Sequence, residues 1–234
     1  MYKLLLTTAA VAAAICLAFA GEPSGKPSNA NLAKFIPAGY RFIEEVRGDL
    51  NGDGADDYVL IIKATDKKKV VRRYDDDPKS DIVDLNRRGV MIFFSDGNDY
   101  RLVQEHRRCF ESEEEYPSPT ATISVRKGNL YVEYCGRLDD THYTFRYRNS
   151  EMELVGYDDG CDGCDVDHNH SRSINFLTKK QLWKGCVNIE DDKCMKIEET
   201  WSNIIIKKTM TLRDFCSDTF NIDSCYIGKK YTQD

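Results

Sequence analysis

The residue types best suited to chemistry stand together in Gly48-Asp49-Leu50-Asn51-Gly52-Asp53-Gly54-Ala55-Asp56-Asp57-Tyr58. Oxygen-bearing side chains recur at Asp49, Asn51 and Asp53. Gly54 then permits a sharp turn, the Ala55 carbonyl follows, and Asp57 closes the set. A hard cation takes about six to eight oxygen ligands, and a backbone curling around it supplies them at alternate positions. Calcium is therefore the predicted cofactor, with Asp49, Asn51, Asp53, Ala55 and Asp57 as its ligands. The spacing follows the front half of an EF-hand loop. It departs at the back, where Leu60 stands in place of the twelfth-position Glu. The flanks, Phe42 to Val46 and Tyr58 to Ile62, alternate like strands rather than helices. The competing reading is an Asp/Asn/Gly-rich turn without metal, in which three like charges would face one another unfavourably.

A second constellation lies at Asp158 to His170, where Cys161, Cys164, His168 and His170 gather two of the four histidines of the chain. Cys and His suit tetrahedral zinc, although the two pairs are closer in sequence than in an ordinary finger. A reactive Cys-x-x-Cys dithiol needs a helix start to lower its thiol pKa. Gly160, Gly163 and the neighbouring aspartates predict a loop instead. The favoured expectation is an acidic hairpin loop stapled by disulfides, with Asp165, Asp167 and Asn169 offering a weak second cation set.

Hydrolase and nucleotide signatures are missing: the chain has no Gly-x-Ser-x-Gly elbow, no His-Glu-x-x-His and no phosphate-cradling glycine loop. Catalytic residues are assigned to none. His106, in the polar stretch Arg101 to Arg108, is expected to be exposed, and His142 to open a strand. The aromatics Tyr131, Tyr134, Tyr143, Phe145 and Tyr147 read as sheet packing rather than a sugar platform.

Asp49-Leu50-Asn51-Gly52-Asp53-Gly54-Ala55-Asp56-Asp57-Tyr58, followed by Val59-Leu60-Ile61-Ile62, resembles the calcium-binding element of FG-GAP (integrin-α-like) repeats in secreted proteins. The likeness covers about a tenth of the chain. Phe145 to Asn149, Glu153 to Asp158 and Ser173 to Thr178 resemble exported proteins of uncharacterised function carrying one such loop in a β-rich domain. The resemblance implies the same five ligands and no particular activity. A full propeller would need several such loops.

The elements that must position these residues begin after a leader. Met1 to Ala20 carries one lysine, an apolar stretch and Ala18-Phe19-Ala20 ahead of Gly21, the pattern of a secretory signal peptide cleaved after Ala20. Ile15 before Cys16 argues against lipidation. Residues 21–36 read as a flexible linker, with one helical turn expected over Asn31 to Phe35, and residues 37–234 as a single disulfide-stapled domain. No later apolar run is long enough to span a bilayer. The net charge of −6 argues against nucleic acid as partner. The nine cysteines leave eight after Cys16, an even number that favours disulfides in an exported chain. Locality suggests Cys186 with Cys194, Cys216 with Cys225 and Cys109 with Cys135.

Period-two alternation dominates the rest. Hairpins are expected at Ile123 to Tyr134 across Lys127-Gly128-Asn129, at Tyr143 to Val155 across Asn149-Ser150, and at Ile174 to Trp183 across Lys179-Lys180. A fourth is expected between Met195 to Thr200 and Ile204 to Thr211. Earlier strands fall at Tyr40 to Val46, Tyr58 to Lys63 and Gly89 to Ser95, and Thr211 to Phe215 reads as a helical turn. The fold class expected is all-β: an antiparallel meander of sequential hairpins, sandwich-like or partly propeller-like, with few helical turns and no internal repeat. The function expected is a calcium-binding interaction module, secreted, periplasmic or at the cell surface, with a protein or glycan partner in the envelope. The rival expectations are a calcium-stabilised hydrolase acting on cell-wall or polysaccharide material, and a secreted inhibitor or immunity-type protein.

Overall fold

The runs Val59-Leu60-Ile61-Ile62 and Val90-Met91-Ile92-Phe93-Phe94 are apolar at every position, because both faces of their sheet are covered. Val59, Ile61, Val90, Ile92 and Phe94 join the main core, while Leu60, Ile62, Met91 and Phe93 join a second cluster on the opposite face. The computed structural model describes residues 26–28, 30–74, 80–97, 99–114, 121–135, 139–161, 170–190 and 193–228. In chain order these form α1 (Ala30–Ala33), β1 (Tyr40–Gly48), β2 (Asp57–Ala64), β3 (Val70–Arg72), β4 (Ile82–Asp84), β5 (Arg88–Asp96) and β6 (Asp99–Phe110). There follow β7 (Ala121–Arg126), β8 (Asn129–Cys135), β9 (Asp139–Arg148), β10 (Glu151–Cys161) and β11 (His170–Asn175). The last elements are β12 (Lys180–Glu190), β13 (Lys193–Asn203), β14 (Ile205–Ile206), α2 (Leu212–Phe215) and β15 (Tyr226–Ile227).

Strands β1-β2-β5-β6 make a four-stranded antiparallel sheet, and β7 to β13 make a seven-stranded meander in strict sequence order. The expected all-β hairpin meander is thus the observed fold. The inner faces of the two sheets share one core, in which Leu130, Val132, Phe145, Met152 and Ile174 of the larger sheet meet the smaller one. Two of the predicted turns close tightly. Lys127 and Gly128 have φ of 51° and 74°, and Asn149 and Ser150 have 50° and 65°, the left-handed pairs that match strand twist in a two-residue hairpin.

Several expectations are corrected. The linker does not run unbroken to residue 36: Leu32 on α1 is fully buried, and Phe35 packs on Phe93 at 5.1 Å between ring centroids. The polar stretch Arg101 to Arg108 lies on β6, which pairs along β5, buries Gln104 and leaves His106 half-buried rather than exposed. The hairpin expected beyond Ser202-Asn203 does not form. Instead β13 pairs with β12 up to Asn203, Ile205–Ile206 pairs with Tyr226–Ile227, and Thr211 makes an isolated bridge to Glu153. Ile204, Met210 and Leu212 turn inward there, so that this segment caps the core instead of extending the sheet. The helical turn expected at its end is α2, held by a capping box between Thr211 and Asp214.

Cys186–Cys194 is bonded as locality suggested, across the far end of the β12–β13 hairpin. The other two suggestions fail. Cys109 on β6 bonds Cys216, which follows α2, and so ties the small sheet to the C-terminal cap across 107 residues. Cys225 is a buried free thiol, and burial pushes its pKa up to about 11. Cys135 is also disulfide-bonded.

Candidate functional site

The loop between β1 and β2 is curled by Gly52 and Gly54, at φ of 82° and 89°. Gly48 enters it at φ 155°, where an added Cβ would lie 2.6 Å from Val125 Cγ1 of the β7–β8 hairpin. The loop therefore rests where the two sheets meet. Its carboxylates are pinned by backbone amides. Asp49 accepts from the amides of Gly52 at 2.6 Å and Gly54 at 2.9 Å. Asp53 accepts from the Ala55 amide at 2.8 Å and from Asn51 Nδ2 at 2.8 Å.

Asp57 behaves differently from its neighbours. It is wholly buried, its Oδ2 accepting from the amides of Leu50 and Asn51 and its Oδ1 from that of Ser95 on β5. Burial raises its pKa; the Leu50 and Ser95 amides pull it down, and the charge of Asp53 adds to the rise. Sequence reasoning drew Asp49, Asn51, Asp53, Ala55 and Asp57 as one convergent set. The structure keeps Asp49, Asn51, Asp53 and Ala55 on the outer limb and turns Asp57 inward as a clamp between β2 and β5. Among the described residues, no three His, Cys, Asp or Glu side chains form a metal-holding group. Like-charge repulsion is relieved here by N–H donors.

The residues still suit a hard cation. Each carboxylate oxygen accepts more than one bond, so the amide bonds leave acceptor capacity. They also fix carboxylate orientation, as outer-shell partners of a metal do. Asp53 stays ionised readily, because the Ala55 amide and the Asn51 side chain lower its pKa.

Of the cysteine–histidine set, Cys164 and His168 lie outside the described residues, as do Asp165, Asp167 and Asn169. Cys161 ends β10, its side chain not described, and His170 opens β11 as an exposed residue. His106 is half-buried rather than exposed, and burial, followed by the charge of Arg213, lowers its pKa. His142 lies on β9, its Nδ1 3.4 Å from Glu133.

A cleft that sequence reasoning missed, of about 530 Å³, opens where the inner face of the large sheet outruns its cover. Its centre is Arg172, directly across the ladder from Trp183 and from Asp159. Arg172 Nη2 donates to Asp159 Oδ2 at 2.6 Å, and Nη1 donates to Asp223 Oδ1 at 2.9 Å and to the Tyr226 hydroxyl at 2.8 Å. Tyr157 also donates to Asp159 at 2.8 Å. Burial alone would lower the Arg172 pKa, and Asp159 more than reverses that. The alternation Arg172-Ser173-Ile174 was the available signal, since it puts Arg172 on the same face as the buried Ile174.

Comparison with protein-family models, with curated proteins and with solved structures finds no match.

Proposed function

We propose that this chain is an exported, calcium-stabilised β-domain that acts as a binding module in the cell envelope. The observation that carries the reading is on β13, the edge strand of the large sheet. Ile197 and Trp201 share one face of it and are 59% and 66% exposed, and Met195, at the bulge beside them, is 58% exposed. Large apolar side chains gathered on one exposed face are the usual mark of an interaction surface. The β12–β13 hairpin that carries them is cross-linked by Cys186–Cys194, which holds the surface in one shape. The leader pattern and the disulfides support export, and the oxygen spacing at Asp49 to Asp57 supports calcium. Calcium bound there would neutralise the clustered carboxylates and stiffen the joint between the sheets.

A hydrolase would need two carboxylates free to move protons in a pocket. The cleft does hold Asp159 and Asp223, but both are bonded to Arg172 and to tyrosine hydroxyls. Such a network favours a fixed wall over an acid–base pair. The test is co-sedimentation of the purified domain with isolated envelope fragments. The wild type is expected to sediment, and the double variant Ile197→Ser/Trp201→Ser to remain soluble. Equal partition of the two would remove the reading.

A further inference from the structure

A second groove, of about 680 Å³, lies on the other side of the C-terminal segment from the Arg172 cleft. The β9–β10 turn, the β11–β12 turn and residues 206–210 frame it. Its rim carries Arg146, Arg148, Lys179 and Lys208 against a single carboxylate, Glu153. In a chain of net charge −6, four cations around one concavity are a local reversal of sign. Concave walls concentrate such a field on whatever enters.

The cations are only lightly committed to protein partners. Arg146 donates to the neutral Asn129 Oδ1 at 2.8 Å, leaving its charge uncompensated by that bond. Arg148 faces Glu153 at 3.5 Å, while Glu153 also accepts from Asn149 at 2.7 Å. Lys208 pairs with Asp214 at 2.6 Å on an exposed side chain, a pair of small energetic weight.

The hairpin turns shape the rim. The described residues include four non-glycine positions with φ between 50° and 65°: Lys127, Asn149, Ser150 and Lys179. Asn149 and Lys179 line this groove, and Ser150 adjoins it. Lys179 holds a left-handed conformation, at φ 57°, that glycine would adopt without strain. A lysine there sets its ammonium on the groove rim, which glycine cannot do.

We propose that this groove binds phosphate groups. Arginine forks present paired donors that match phosphate oxygens, and lysine adds a compact charge. Four cations against Glu153 and the Asp214 partner of Lys208, four minus two, leave two positive charges in surplus, which a phosphate dianion or a short run of phosphates would balance. Both a soluble phosphate chain and an anionic lipid headgroup offer this chemistry.

The test uses tripolyphosphate in buffer stripped of divalent ions, and vesicles of phosphatidylglycerol against vesicles of phosphatidylcholine. Saturable binding of tripolyphosphate that weakens with added sodium chloride is expected. The variants Arg146→Gln and Lys179→Gly should each weaken it at least threefold, and together at least tenfold. Lys179→Gly relieves a positive φ, so the melting temperature should hold or rise while binding falls, separating ligand loss from misfolding. Tripolyphosphate binding without vesicle binding assigns a soluble phosphate, and binding to phosphatidylglycerol alone assigns a headgroup. The proposal is overturned if neither probe binds, if phosphatidylcholine binds as well as phosphatidylglycerol, or if the variants bind like wild type. Envelope co-sedimentation of a wild type that binds neither tripolyphosphate nor phosphatidylglycerol would leave the β13 reading standing while the groove assignment fails.

Discussion

The four-stranded sheet and the β12–β13 end of the seven-stranded sheet use their side chains in opposite ways. In β2 and β5 nearly every residue is buried, on one face against the large sheet and on the other against α1. Along β13 most described side chains are exposed and none is buried, and the large apolar ones among them gain little from the fold. Burial of apolar area stabilises by about 25 cal/mol per Å², so the small sheet and its joint to the large one hold most of the cohesion. The β13 end carries apolar residues that stability does not require. The fold thus has one dense end and one bare end.

The largest effect expected from this contrast is at the disulfide that closes the dense end. Cys109–Cys216 spans 107 residues, and a loop of that size loses about 4–5 kcal/mol when opened, on the chain-entropy model. The variant Cys109→Ala/Cys216→Ala should show that loss in guanidinium denaturation. Cys186→Ala/Cys194→Ala, closing a separation of only 8 at the bare end, should lose about half as much. Equal losses would break the comparison.

Next is Asp57. It serves three backbone amides from inside the joint. Removing the acceptor strands buried donors, at about 1–3 kcal/mol for an unsatisfied group. Asp57→Ala should therefore destabilise by about 3 kcal/mol, and Asp53→Ala, on the exposed limb, by clearly less without calcium. If the two variants melt together in chelator, Asp57 is not the clamp described.

Added calcium should sharpen the same contrast through pH. The Asp57 pKa is raised by burial, so without the ion its contribution is favourable below the ordinary carboxylate range and lost as pH rises through the raised value. An ion binds only the ionised loop, which reverses that slope. The stabilisation by calcium should be small near pH 4 and larger at pH 7, reaching about 2.7 kcal/mol at one hundred times the dissociation constant, read as a rise in melting temperature. A gain of zero at both pH values would sink the calcium assignment.

Much of this fold was legible because local rules and global fold agree. The Lys127-Gly128 and Asn149-Ser150 turns fall between alternating runs, and those strands pair as read. The oxygen spacing at Asp49 to Asp57 was equally visible, but not its split into a limb and a clamp. That split depends on the Ser95 amide, which pairing of β2 with β5 brings to Asp57 from 38 residues away. The same holds for β6, whose alternation is hidden by arginines and glutamates on its solvent face, and for Cys109–Cys216. Local spacing cannot foresee a partner that only sheet packing delivers. The Arg172 cleft was missed for that reason too, since Asp223 reaches it from the C-terminal cap.

The smallest stability effect belongs to the bare end. Trp201 and Ile197 are more than half exposed, so replacing both with serine removes little buried area. Substitutions at such positions usually shift stability by no more than about 0.5 kcal/mol. Ile197→Ser/Trp201→Ser should accordingly melt with the wild type while losing envelope association. The pairing of outcomes matters more than either alone. A variant that loses both stability and association would mean these side chains hold the hairpin in place, and β13 would then belong with the dense end. A variant that loses neither would leave two large apolar residues exposed to no purpose that folding or binding explains.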